Sequence, residues 1–239
     1  MGFSLRIVLV QPRNPLNIGA AARAMANFGF DDLALVEPYN EAWRHARSAR
    51  AGTEVLERAR CYERLSDAIA DCEFVVGTTS GSGRVPEVPL NPWVELAAAF
   101  GERRCALVFG SEKTGLRVED ISHCQQLARL PTMAGAPSVN LGQAVAVCCY
   151  ELRRQPSNRL SAEPGAPEAS VSERERLVEQ WTPLLEHIGV FRPLHRASQT
   201  RRLREMLLRW QLASRDTKLL LGVARELRRM LGLSSHRPT

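Results

Sequence analysis

Three short segments combine glycine with small polar residues: Asn14 to Arg23, Phe109 to Leu116, and Pro137 to Gly142. Each stands at the end of an apolar strand-like run or the start of a helix-like one, where backbone amides and carbonyls can approach a ligand. The runs Leu5–Val10, Leu33–Val36, Glu73–Gly77, Cys105–Gly110 and Gln126–Leu130 read as buried strands, and helix-like stretches separate them. Apolar runs of this kind, alternating with helices, predict an α/β domain with a mostly parallel sheet.

Helical periodicity refines this picture. Asn17 is placed to cap a helix whose apolar positions Ile18, Ala21, Ala22, Met25 and Phe28 keep helical spacing until Gly29 stops it, and Arg23 falls off that stripe. Leu141, Ala144, Val145, Cys148 and Leu152 make a second stripe, ending in Arg153 and Arg154, where cations favour a helix C-terminus. Residues 1–155 are therefore expected to form one domain. Residues 156–171 hold Pro156, Pro164, Gly165 and Pro167 with no aromatic residue, and read as a linker. Residues 172–239 read as a small all-helical domain. Ser172 to Glu175 fits a capping box opening a helix that Pro183 should kink or split. Two further helices carry the stripes Leu203, Met206, Leu207, Trp210 and Leu220, Val223, Leu227, Met230.

Charge follows the same division. Residues 1–155 carry 17 Lys+Arg and 17 Asp+Glu, whereas 156–239 carry 15 and 9, so the formal net charge of +6 lies in the second part. Lys113 and Lys218 are the only lysines. Arginine's planar fork suits bidentate phosphate contact, so this part is the expected polyanion-binding region. The six cysteines form no C-x-x-C pair and the five histidines no H-x-x-x-H, so no metal site is expected. The first strand begins almost at once, with no signal-like segment, and no apolar run approaches membrane-spanning length. A soluble cytoplasmic protein with reduced thiols is the expectation.

The three segments, in this order, resemble the motifs of the SPOUT methyltransferases. With Val76 to Ser80 and the tail containing Gly189-Val190-Phe191-Arg192-Pro193, the chain is similar along nearly its whole length to the TrmJ-type tRNA ribose methyltransferases. The resemblance implies a fold closing in a deep C-terminal trefoil knot, a homodimer, and methylation of the 2'-hydroxyl of tRNA nucleotide 32 in the anticodon loop. It places S-adenosylmethionine against Thr78, Thr79, Ser80, Gly110, Leu130, Ser138, Val139, Asn140 and Leu141, and it gathers Arg23, Asn17, Ser138 and Glu112 around the target ribose. Gly81–Arg84, Leu16 and Pro131–Met133 depart from the family pattern. These loops could alter RNA preference.

The chemistry of the arginine matters for mechanism. A guanidinium is always protonated near neutral pH, so Arg23 is expected to bind a phosphate and stabilise a developing alkoxide rather than to act as general base. Competing readings are a ribose methyltransferase acting on ribosomal RNA or another tRNA position, and a catalytically silent RNA-binding protein on the same scaffold. A dinucleotide-dependent oxidoreductase is disfavoured, because no G-x-G-x-x-G follows the first strand.

Overall fold

The computed structural model describes residues 4–46, 48–80, 90–91, 96, 99–154 and 168–233. The chain divides into two compact units, Met1–Leu160 and Ser161–Thr239. The first unit is built on a seven-stranded sheet: β1 (Ser4–Val10), β2 (Asp32–Val36), β3 (Arg60–Tyr62), β4 (Phe74–Thr78), β5 (Leu90–Asn91), β6 (Arg104–Phe109) and β7 (Gln126–Ala128). Their order is β3-β2-β1-β6-β4-β7-β5, and every pairing is parallel. The five apolar runs are all strands. β3 and β5 are additional to them.

Around the sheet lie α1 (Pro15–Asn27), α2 (Thr53–Glu57), α3 (Leu65–Ala68), α4 (Val118–Ile121) and α5 (Leu141–Arg154), with two 3-10 turns at Glu41–His45 and Arg50–Gly52. The cap of α1 is Asn14, not Asn17: the Asn14 side chain accepts from the amide of Leu16, and Pro15 occupies the first helical position. That arrangement is favoured because proline lacks the amide that a helix start leaves unpaired. Asn17 lies inside the helix and is thereby freed for other contacts. The helix stops as expected, with Phe28 at its C-cap and Gly29 in a left-handed conformation.

Ile7, Leu9, Leu35, Val76 and Leu107 form the middle of the core, with Ile18, Ala21 and Met25 of α1 and Val145, Cys148 and Cys149 of α5 packed in the same cluster. α1 and α5 approach closely at Gly142, where an added Cβ would lie 2.7 Å from that of Ala20. All six cysteines are thiols; five are buried, and Cys61 is exposed. Burial pushes the thiols of Cys72 and Cys149 up to about 12, so they stay protonated as core hydrophobes.

The second unit contains α6 (Val171–His187), α7 (Arg196–Arg209) and α8 (Ser214–Met230). The capping box of α6 is Ser170 with Glu173, rather than Ser172 with Glu175. Glu173 also accepts from the hydroxyl of Ser214 at 2.6 Å, while Glu175 holds the buried Arg204 with bonds of 2.7 and 3.1 Å. Each acid thus has a tertiary partner, which decides between the two overlapping patterns. α6 continues through Pro183 as one element. The small core joins Leu177 and Val178 to Leu203 and Leu207, with Leu220 and Leu221 of α8 against it. The rest of the predicted α8 stripe, Val223, Leu227 and Met230, is exposed together with Leu219. The expected linker falls largely outside the described residues.

Candidate active site

A chain of hydrogen bonds joins the three glycine-containing segments. Glu112, just beyond β6, accepts from the backbone amide of Arg13 at 2.8 Å, from that of Asn14 at 3.1 Å, and from Asn17 Nδ2 at 2.9 Å. Asn17 Oδ1 in turn accepts from Asn140 Nδ2 at 2.9 Å. Asn140 completes the chain by capping α5: its Oδ1 accepts from the amides of Gly142 at 3.0 Å and Gln143 at 3.3 Å. Burial alone would raise the Glu112 carboxyl, but the bonds from Asn17 and from the Arg13 and Asn14 amides outweigh it and hold the group below the usual carboxylate range. Glu112 is consequently an ionised acceptor at neutral pH. It positions its neighbours and is a poor proton acceptor.

The Glu112 loop is a tight turn closed by Gly115, whose amide donates to the carbonyl of Ser111 at 2.8 Å and whose φ is +66°. Gly110 has no room for a side chain, since an added Cβ would stand 2.1 Å from the carbonyl carbon of Gly115. Both glycines are therefore required by the turn that presents Glu112.

Sheet order assembles the residues expected to hold a cofactor. β4 lies between β6 and β7, so Thr78–Ser80, Gly110 and Leu130 emerge side by side at the C-terminal ends of adjacent parallel strands. Thr78 Oγ1 donates to the carbonyl of Val108 at 3.1 Å, and the amide of Thr79 donates to that of Ala128 at 3.0 Å, pinning the β4 loop to both neighbours. Leu130 and Val139 are half-buried and Leu141 is buried, which gives these loops apolar surface beside main-chain groups. Such a set fits an adenosine group, which needs an apolar slot with a few backbone hydrogen bonds. Among the described residues no group of three or more His, Cys, Asp or Glu is arranged to hold a metal ion.

Arg23 and Ser138 are exposed, and among the described residues no hydrogen bond or ion pair ties them to the Glu112–Asn17–Asn140 chain. Arg23 lies on α1 beyond Asn17, roughly 9 Å along the axis at 1.5 Å per residue. The Gly81–Arg84 loop lies outside the described residues. Sequence reasoning missed the cap at Asn14, although Asn-Pro at a helix start signals it. It also missed the use of the Asn140 side chain as a helix cap and cross-link.

The SpoU rRNA methylase family model matches residues 4–150, a span that includes every candidate site residue. The chain belongs to the SpoU methylase family. Among SpoU-related proteins, the tRNA (cytidine-2'-O-)-methyltransferase TrmJ of Methanocaldococcus jannaschii is 34% identical over 195 residues, covering 78% of this chain and 83% of its own. The tRNA (cytidine/uridine-2'-O-)-methyltransferase TrmJ of Yersinia pestis is 31% identical over 233 residues, 93% of this chain and 91% of its own. The crystal structure of TrmJ from Z. mobilis ZM4 superposes with a TM-score of 0.83 at 30% identity, covering 93% of this chain and 98% of that one. Similarity to these two bacterial proteins thus runs past the SpoU domain into the helical unit.

Proposed function

We propose that this chain methylates the ribose 2'-hydroxyl of tRNA, at nucleotide 32 of the anticodon loop, with S-adenosylmethionine as donor. The observation that carries the reading is the hydrogen-bonded chain Glu112–Asn17–Asn140, because it brings the three motif segments of a methyltransferase to one place. The tRNA 2'-O-methyltransferase names of the related proteins support the substrate class. Thr78–Ser80, Gly110, Leu130 and Ser138–Leu141 would hold the cofactor in a knotted C-terminal segment; when bound, it supplies an electrophilic methyl group on a sulfonium.

This chain's own residues would position and neutralise. Arg23 would bind the phosphate beside the target ribose and stabilise the oxygen as it loses its proton to water or to a phosphate oxygen. Asn17, fixed from both sides, would orient the ribose, and Ser138 would complete the site. The second unit would supply further phosphate contacts: Arg192, Arg202, Arg209 and Arg225 are exposed, with no ion pair among the described residues. We infer a cytoplasmic homodimer; the exposed Leu16, Val147 and Tyr150 of the α1–α5 pair supply apolar surface for a second copy. No helix among the described residues is long and apolar enough to cross a membrane.

A second reading, ribosomal RNA as the substrate, draws on the description of the family itself. Incubating the protein with S-adenosylmethionine and unmodified tRNA or ribosomal RNA transcripts, then mapping methylated ribose by nucleoside mass spectrometry, separates the two. A 2'-O-methyl mark at tRNA nucleotide 32, reduced by about 10²–10³ in rate in Arg23→Ala with cofactor binding retained, is the expected result. A mark on ribosomal RNA alone would transfer the assignment to the second reading.

A further inference from the structure

Beside the Glu112 turn lies a cleft of about 420 Å³, lined by Gln11, Arg13, Glu37, Tyr39, Lys113 and Arg117 among others. Lys113 stands on the Glu112 turn and the Arg13 amide bonds Glu112, whereas Gln11, Glu37, Tyr39 and Arg117 lie outside the site described above. Three cations against one acid make the cleft positive. Arg13 and Lys113 are exposed and form no ion pair among the described residues. Tyr39 is 70% exposed, and the Arg13 guanidinium stands 4.8 Å from its ring centroid. An exposed tyrosine ring with a guanidinium stacked on it, set among cations, matches the chemistry of a nucleic-acid base and its phosphate.

The cleft is built rather than incidental. Gln11 and Glu37, at the ends of β1 and β2, both have left-handed backbone with φ of +49° and +45°. Gln11 Nε2 donates to Glu37 at 2.6 Å, and Gln11 Oε1 accepts from Arg117 at 2.6 Å. One amide therefore bonds both charged neighbours, and Arg117 retains further donors for an anion. The amide of Tyr39 donates to the carbonyl of Pro12 at 3.1 Å, which ties the tyrosine to the loop that also gives Glu112 its backbone donors. Cleft and reaction centre consequently share a wall. The volume lies within the range of pockets that take small organic ligands, a class to which one nucleotide belongs.

We propose that this cleft binds the nucleotide adjoining the methylated one, with Tyr39 stacking on its base and Lys113 and Arg117 holding its phosphate. This rests on the RNA-methylating reading given above and adds a recognition subsite to it. The test uses the full chain, a fluorescein-labelled tRNA transcript and the variants Tyr39→Ala, Tyr39→Phe and Lys113→Ala, with binding and methylation measured side by side. Tyr39→Ala is expected to weaken transcript binding and raise KM by between about 5- and 150-fold, the span of one lost base stack, and Tyr39→Phe to restore both. Lys113→Ala is expected to reduce the log–log salt slope of binding by about 0.7, as one single-strand phosphate contact would. S-adenosylmethionine affinity should stay unchanged in all three.

Unchanged binding and KM in Tyr39→Ala would overturn the cleft while leaving the reaction standing. Equal losses in Tyr39→Ala and Tyr39→Phe would overturn stacking as its basis. Tyr39-dependent binding by a wild-type protein that leaves no methyl mark would overturn the reaction and keep the cleft.

Discussion

The two ends of the parallel sheet each carry a polar cluster, and they are built differently. At the N-terminal end, Arg6 of β1 is 2% exposed and donates to Asp32 at 3.0 Å, to Asp71 at 2.6 Å and to the carbonyl of Ala68 at 2.7 Å. Arg60 and Arg104, at the starts of β3 and β6, reach the same acids at 2.8 and 2.9 Å. Charges there are paired with charges. At the C-terminal end the Glu112 carboxylate is met by neutral donors, and the nearby cations Arg13 and Lys113 pair with no acid of the chain among the described residues. A cluster whose charges are paired with one another holds strands together; a cluster whose cations stay available can receive an anion from outside.

Substitution is costliest to folding at the closed end. Arg6→Ala should cost about 3 kcal/mol of folding stability, because it leaves two acids facing a buried gap with weaker surface partners. Urea unfolding would read the loss. The rate of methylation per folded molecule should not change, since among the described residues the partners of Arg6 are Asp32, Asp71 and Ala68, none of them at the reaction end. A fall in that rate at full folding would mean that the two ends are coupled through β1 and do not act separately.

At the open end the ordering reverses, with a modest cost in stability and a large one in rate. Asn17→Ala removes the donor to Glu112 and the acceptor for Asn140, and with a half-buried side chain it should cost about 1.5 kcal/mol. The three segments would lose their common link, and kcat should fall by about 10², because small displacements of positioned groups cost that much. A single-turnover assay alongside urea unfolding separates the two effects. If Asn17→Ala kept wild-type kcat, the hydrogen-bonded chain would be a fold staple like the one around Arg6.

How much of this was legible from residues depends on how local each signal is. β1, β2, β4, β6 and β7 are continuous apolar runs and could be read directly. β3 spans only Arg60–Tyr62, with two of its three residues exposed, and β5 only Leu90–Asn91, so neither offers a periodic pattern. The helix starts at Asn14 and Ser170 were misplaced by two or three residues, because an asparagine or serine near a helix start fits more than one register until its tertiary partner is known. The site was legible as motifs and not as geometry. Asn17 is separated from Glu112 by 95 residues and from Asn140 by 123, and only the β1-β6-β4-β7 order makes them neighbours. The cleft around Tyr39 had no sequence signal, since Gln11 and Glu37 are not residues that announce a left-handed backbone.

Acid unfolding offers the smallest and most discriminating effect. Burial would raise Asp71, but the hydrogen bonds and charge of Arg6, with the charge of Arg104, hold it below the usual range; Glu112 is lowered at the other end by neutral donors. For both groups the folded-state pKa is depressed. Their stabilisation is therefore fully present above the unfolded values, about 3.9 for Asp and 4.3 for Glu, and is lost as pH falls through the lower folded values. Urea midpoints measured from pH 6 down to pH 3 should decline in the wild type, and either Asp71→Asn or Glu112→Gln should flatten part of that decline. The variants should differ at pH 7. Asp71→Asn strips a charge partner from a buried arginine and should already be destabilised there, whereas Glu112→Gln exchanges one acceptor for another among neutral donors and should lie closer to wild type. Equal losses at pH 7 would mean that the two ends of the sheet are held by the same kind of interaction, and the distinction between a closed staple and an open site would fail.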